Sequence, residues 1–75
     1  MSLSFDEHEE LGDELKKSSG RLRQLCGLVV SEYGPQSLAG FNFLKAMEML
    51  DRLQQEMEAQ ASQDLQGYAS KKLYL

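Results

Sequence analysis

The stretch Tyr33-Gly34-Pro35-Gln36-Ser37 lies near the midpoint of this 75-residue chain and constrains its fold more than any other. Proline has no backbone N–H to continue a helix, and a glycine just before it accepts the backbone that ends one. Ser37 and Asn42 are the candidate caps for a new helix beyond the break. Amphipathic segments run on both sides, with no strand-like alternation, repeat or low-complexity linker between them. The pattern predicts an all-α chain: a helix over about 5–33, a turn at about 34–37 and a helix over about 38–70. A short connection between long helices makes them an antiparallel hairpin. Residues 1–75 then form one helical-hairpin domain, with 71–75 as a short tail.

Helix one is announced by Ser4-Phe5-Asp6-Glu7, where Ser4 caps and Glu7 reaches back, a capping box. The acids that follow favour the positive end of the helix dipole. At 100° per residue, Leu11, Leu15, Leu22, Leu25, Cys26, Val29 and Tyr33 share one stripe. On helix two the stripe is Phe43, Ala46, Met47, Leu50, Leu53, Met57, Ala61, Leu65 and Tyr68. Folding about residue 37 pairs positions whose numbers sum to roughly 74, the geometry of such a hairpin. Leu22 then faces Leu50 and Leu53, and Leu11 faces Leu65. Ser18, Ser19 and Gln54 fall on the facing sides, where a Ser–Gln layer is one way to pin the register. The apolar end of Lys71-Lys72-Leu73-Tyr74-Leu75 is expected to pack across a neighbouring surface.

Two helices leave a shortage. A chain of this size buries only roughly 60% of its unfolded surface, and small domains add disulfides, metals or oligomerisation. Cys26 is alone, which excludes an internal disulfide, and one Cys with one His makes no zinc set. The remaining remedy is a partner. A stripe about 120° wide is more than one antiparallel contact covers, and two hairpins face to face close it into a four-helix bundle. The expected interface is Leu15, Leu22, Leu25, Val29, Phe41, Phe43, Leu44, Leu50, Leu53 and Met57. Leu38, Phe41, Phe43 and Leu44 point in several directions, so the turn end is expected to be covered or to offer an apolar patch. Gly20 and Gly27 share the outer side of helix one, where a backbone can approach closely.

Catalytic and metal chemistry find no constellation. His8 is the only histidine, and the residue three before it is Phe5, so the Glu-x-x-His pattern of di-iron bundles is absent. Its expected place is half-buried, near Asp64 or Tyr68. The acids at 6, 7, 9, 10, 13 and 14 radiate around their helix and do not converge on one cation. Cys26 within the stripe reads as a core thiol, and Met47 and Met57 read as filler. No catalytic, cofactor-binding or metal residue is assigned, and no small-molecule substrate is evident.

Charge narrows the partners. The formal net charge is −4, and residues 1–20 alone carry six acids against Lys16 and Lys17. Duplex binding needs clustered cations, and none are present, so nucleic acid is not expected. No apolar run approaches the roughly 18 residues of a membrane span, and the acidic start is unlike a signal peptide. One free thiol points to the cytoplasm. The expectation is a non-enzymatic protein working through protein–protein contact as a homodimer, with adaptor, regulatory or assembly roles and room for an unidentified protein partner. An RNA-binding hairpin dimer and a subunit of a larger hetero-assembly are the alternatives.

Overall fold

A computed structural model describes residues 2–66 and 72–75. Two helices account for nearly all of them: α1, Phe5–Tyr33, and α2, Leu38–Asp64. The described residues include no strand.

The start of α1 is built as its residue types dictate. The Ser4 side chain accepts a hydrogen bond from the Glu7 amide at 3.2 Å, and Glu7 accepts one from the Ser4 amide at 2.9 Å. This capping box satisfies two amides that the first turn leaves without helical partners. The bond from the Ser4 amide is also the main reason that the Glu7 carboxyl is held below its usual range.

The turn follows from Gly34, Pro35 and Ser37. The Gly34 amide donates to the Val30 carbonyl at 2.8 Å and ends α1. Its φ of 88° is positive, as expected, but its ψ of 154° lies outside the left-handed helical region. That combination is nearly confined to glycine, because a Cβ would collide with the backbone. Ser37, not Asn42, caps α2, accepting from the Gly40 amide at 3.0 Å while its hydroxyl donates to Gly34 O at 2.8 Å. One serine therefore fastens both sides of the break.

The helices lie antiparallel, and their register matches the sum rule. Arg23 pairs with Asp51, whose numbers sum to 74. The pair is half-exposed, so it marks the register more than it stabilises it.

The mutual contact differs from the expected one. On α1 the buried residues are His8, Gly12, Ser19 and Cys26, and on α2 they are Gly40, Gln54 and Ala61. This buried line on α1 lies roughly 70° around the helix from the mean direction of Leu11, Leu15, Leu22, Leu25 and Val29. Leu22 and Leu53 were expected to face each other in the hairpin, but they remain 37% and 42% exposed. Small and polar residues let the helices approach, and the leucines flank the seam on one side. Arg23 and Asp51 flank it on the other.

The second correction concerns the end of α2. The helix stops at Asp64, not near 70, and the Leu65 amide closes it onto Ala61 O. Tyr68 and the expected last turn lie outside the described residues. Residues 72–75 return against the hairpin itself. Leu73 and Tyr74 are buried and form a cluster with Ala61, with Phe5, Leu15, Met57 and Leu65 packed around it.

Gly34→Ala is expected to destabilise the chain by about 1–3 kcal/mol, the cost of holding a Cβ in that region. Urea unfolding followed by circular dichroism measures it as a lower midpoint with an unchanged slope.

Candidate functional site

The most structured site sits between the open ends of the helices, where the tail enters. Tyr74 and His8 are both fully buried, at 0% exposure. The Tyr74 hydroxyl lies 2.7 Å from His8 Nδ1, and His8 Nε2 lies 2.9 Å from Asp64 Oδ2. The two rings meet edge to face, with centroids 5.8 Å apart. Gln60 donates a second bond to the Asp64 carboxylate at 2.9 Å.

The roles follow from the donors. An ionised carboxylate only accepts, so Nε2 carries the proton and donates to Asp64. In the neutral ring this leaves Nδ1 as the acceptor for the Tyr74 hydroxyl. Bonding to His8 first and Gln60 second holds the Asp64 carboxyl below its usual range. Burial raises the Tyr74 phenol above its usual value, and the charges of Glu58 and Asp64 push the same way.

The tail backbone is held as tightly as its side chain. Glu58 Oε1 accepts from both the Leu73 and Tyr74 amides, each at 2.9 Å. Gln54 Nε2 donates to the Tyr74 carbonyl at 3.0 Å, and Arg23 donates to Gln54 Oε1 at 3.1 Å. The chain of bonds thus runs from the half-exposed Arg23 to the buried backbone of the tail. Gly12 makes room: a Cβ there would lie 2.2 Å from the Leu73 carbonyl oxygen. No side chain fits at position 12 while the tail is seated.

Tyrosine, histidine and aspartate in this order have the connectivity of an activated nucleophile, its base and an orienting carboxylate. Here both ring nitrogens are occupied and the phenol is sealed from solvent, so the arrangement secures a segment. Among the described residues no group of three or more His, Cys, Asp or Glu is placed to hold a metal ion. No described helix is long and apolar enough to cross a membrane.

Several expectations find their places here. His8 does meet Asp64, and its burial is complete, not partial; its second partner is Tyr74, with Tyr68 outside the described residues. The Ser–Gln layer does not form. Ser18 is exposed, Ser19 is buried with no hydrogen-bond partner for its hydroxyl among the described residues, and Gln54 serves the tail. Cys26 is a buried free thiol. Among the described residues, nothing beyond the neighbouring backbone of α1 lies within 4 Å of a Cβ placed at Gly20 or Gly27.

The expected interface residues divide. Leu15, Leu25, Val29, Phe43, Leu50 and Met57 are half-buried, and Leu22 and Leu53 are exposed beside them. Helical geometry puts Phe41 and Leu44 on the opposite flank of α2. There they line a shallow depression with Lys45 and Glu48, and the Lys45 ammonium sits 5.4 Å from the Phe41 ring centroid.

The residues that sequence reasoning missed are Gly12, Glu58 and Tyr74. One signal pointed toward the first. Gly12 shares the His8 and Ser19 side of α1, and a small residue beside a histidine on a buried line marks a close approach. No family model matches this chain, and neither curated proteins nor solved structures include one that matches it.

Tyr74→Phe leaves Nδ1 of a buried histidine unpaired, and a loss of about 1–3 kcal/mol is expected. The pH profile carries a second signature. A raised phenol pKa contributes stability that is complete below about pH 10, the unfolded value, and is lost as pH rises through the folded one. Stability of the native chain is therefore expected to fall above that pH, and less steeply for Tyr74→Phe. The lowered Asp64 value acts at the other end: its contribution is complete above about pH 4 and is lost as pH falls through the folded value. Asp64→Asn is expected to flatten the acid limb. Urea midpoints across pH measure both.

Proposed function

We propose that this hairpin is a non-catalytic interaction module that associates with a second copy of itself through its leucine-rich flank to form an antiparallel four-helix bundle. The observation that carries this is the placement of Leu11, Leu22 and Leu53. They are 41%, 37% and 42% exposed on the flank away from Arg23 and Asp51, continuous with the half-buried Leu15, Leu25, Val29, Leu50 and Met57.

The overall dimensions support it. The chain exposes 5612 Å², whereas a compact 8.5 kDa monomer is expected to expose about 4,700 Å². The excess is roughly 900 Å², on the scale of the 800 Å² or so that each partner buries in a standard interface. The radius of gyration, 15.0 Å, is likewise larger than the approximately 11 Å of a compact domain of this length. An elongated hairpin that covers its leucine flank with a second copy reduces both excesses. Each copy gives the same flank, so the contact is self-complementary and closes as a two-fold dimer. In the cell the work of such a module is adaptor, regulatory or assembly contact, in a reducing compartment that keeps Cys26 a thiol.

Sedimentation equilibrium is expected to return a dimer mass, with a melting temperature that rises with protein concentration. Leu22→Glu combined with Leu53→Glu places charges on the flank and is expected to weaken the dimer at least about tenfold while the monomer stays helical. A native chain that remains a monomer at every concentration overturns self-association and assigns the flank to a different protein.

A further inference from the structure

Leu73 and Tyr74 lie in a cleft whose recognition groups come from elsewhere in the chain. Glu58 reads two backbone amides, Gln54 reads a carbonyl, and His8 reads the phenol. Gly12 admits the Leu73 carbonyl where any side chain would block it. Three of these four bonds are to peptide backbone, and the fourth selects a hydroxylated ring. This is how an extended peptide is recognised by a protein: main-chain bonds give affinity and one side-chain pocket gives specificity.

We infer that this cleft is a binding site for an extended Leu–Tyr peptide segment, and that the C-terminal tail of a second copy of this chain is a ligand for it. The cleft makes no contact that depends on which molecule supplies the segment. Exchange of an identical element between copies replaces each internal contact with the same contact across two chains. Charge favours the encounter. Residues 67–75 contain Lys71 and Lys72 and no acid, a charge of +2, while the remainder of the chain holds all twelve acids and six of the eight bases, a charge of −6. A basic tail is drawn to an acidic hairpin. The cleft also demands its ligand's hydroxyl, because a phenylalanine would leave the buried His8 Nδ1 unpaired. The cleft shares Leu15 and Met57 with the leucine flank, but peptide binding to a full-length chain reads the cleft and sedimentation reads the flank, so the two proposals fail separately.

The test uses full-length chains. Tyr74→Ala keeps the cleft and removes the anchor of its own tail; Gly12→Val keeps the tail and blocks the cleft. A fluorescent peptide, Lys-Lys-Leu-Tyr-Leu, titrated into the Tyr74→Ala chain is expected to bind saturably by anisotropy. The same peptide with phenylalanine at the tyrosine position is expected to bind about 10- to 100-fold more weakly. Adding Gly12→Val to the Tyr74→Ala chain is expected to abolish binding. If the Tyr74→Ala chain is unfolded alone, the readout becomes recovery of helical circular dichroism on adding peptide. Absence of both binding and recovery at millimolar peptide overturns the site. An equimolar mixture of the Tyr74→Ala and Gly12→Val chains then tests the ligand. A mixture that melts above both parents supports delivery of the tail by a second copy, and one that melts as its parents do overturns it.

Discussion

The arrangement depends on a buried tyrosine hydroxyl finding a nitrogen in a helix hairpin too thin to bury much else. Two helices meet along one line, and here that line is drawn in Gly12, Ser19, Cys26, Gln54 and Ala61. Such residues bring helices close but supply little apolar area. Tyr74 adds the large side chain that the seam lacks, and a buried phenol requires a partner. His8 supplies it, Asp64 sets the tautomer of His8, and Gln60 steadies Asp64. Each polar group in the series is satisfied by the next, which is the condition under which burying them is tolerated.

The same economy explains Glu58 and Gln54. A chain entering a cleft between helices has no sheet edge or helical ladder to receive its amides and carbonyls, and unpaired backbone groups are costly to bury. A single carboxylate oxygen on α2 receives two amides, and a carboxamide one turn earlier donates to a carbonyl. The helices are thus side-chain substitutes for a missing strand. Ser19 is the exception within the seam, since its buried hydroxyl has no hydrogen-bond partner among the described residues.

Much of the hairpin was legible from residue types because helices advertise themselves periodically. Ser4 with Glu7, Gly34 with Pro35, and Ser37 are local signals with local causes, and both α1 boundaries follow from them. The register was also legible, to the point that Arg23 and Asp51 meet where the turn position requires. The direction of contact was not. A helical wheel reports where apolar residues cluster, and the centre of that cluster is not the seam. Close helix packing instead selected the small residues at its edge and left the leucines as a flank. The tail was illegible for a different reason. Three apolar residues have no period, and their seat is made of side chains that are far apart in sequence and individually ordinary. No sequence signal separates Glu58 from the other acids, and Gln54 reads as half of a polar layer.

The contact between His8 and Tyr74 joins positions 66 residues apart, whereas the turn and caps join residues three or four apart. These differ in kind as kinetic events. Closing a hairpin about a stiff turn is local and fast, but the tail's seat does not exist until both helices are side by side. Docking of the tail is therefore the last step in and the first step out, a sub-global opening with its own free energy below that of the whole chain. In such an opening the His8 nitrogen and the Tyr74 hydroxyl exchange each other for water, and the Leu73 and Tyr74 amides give up Glu58.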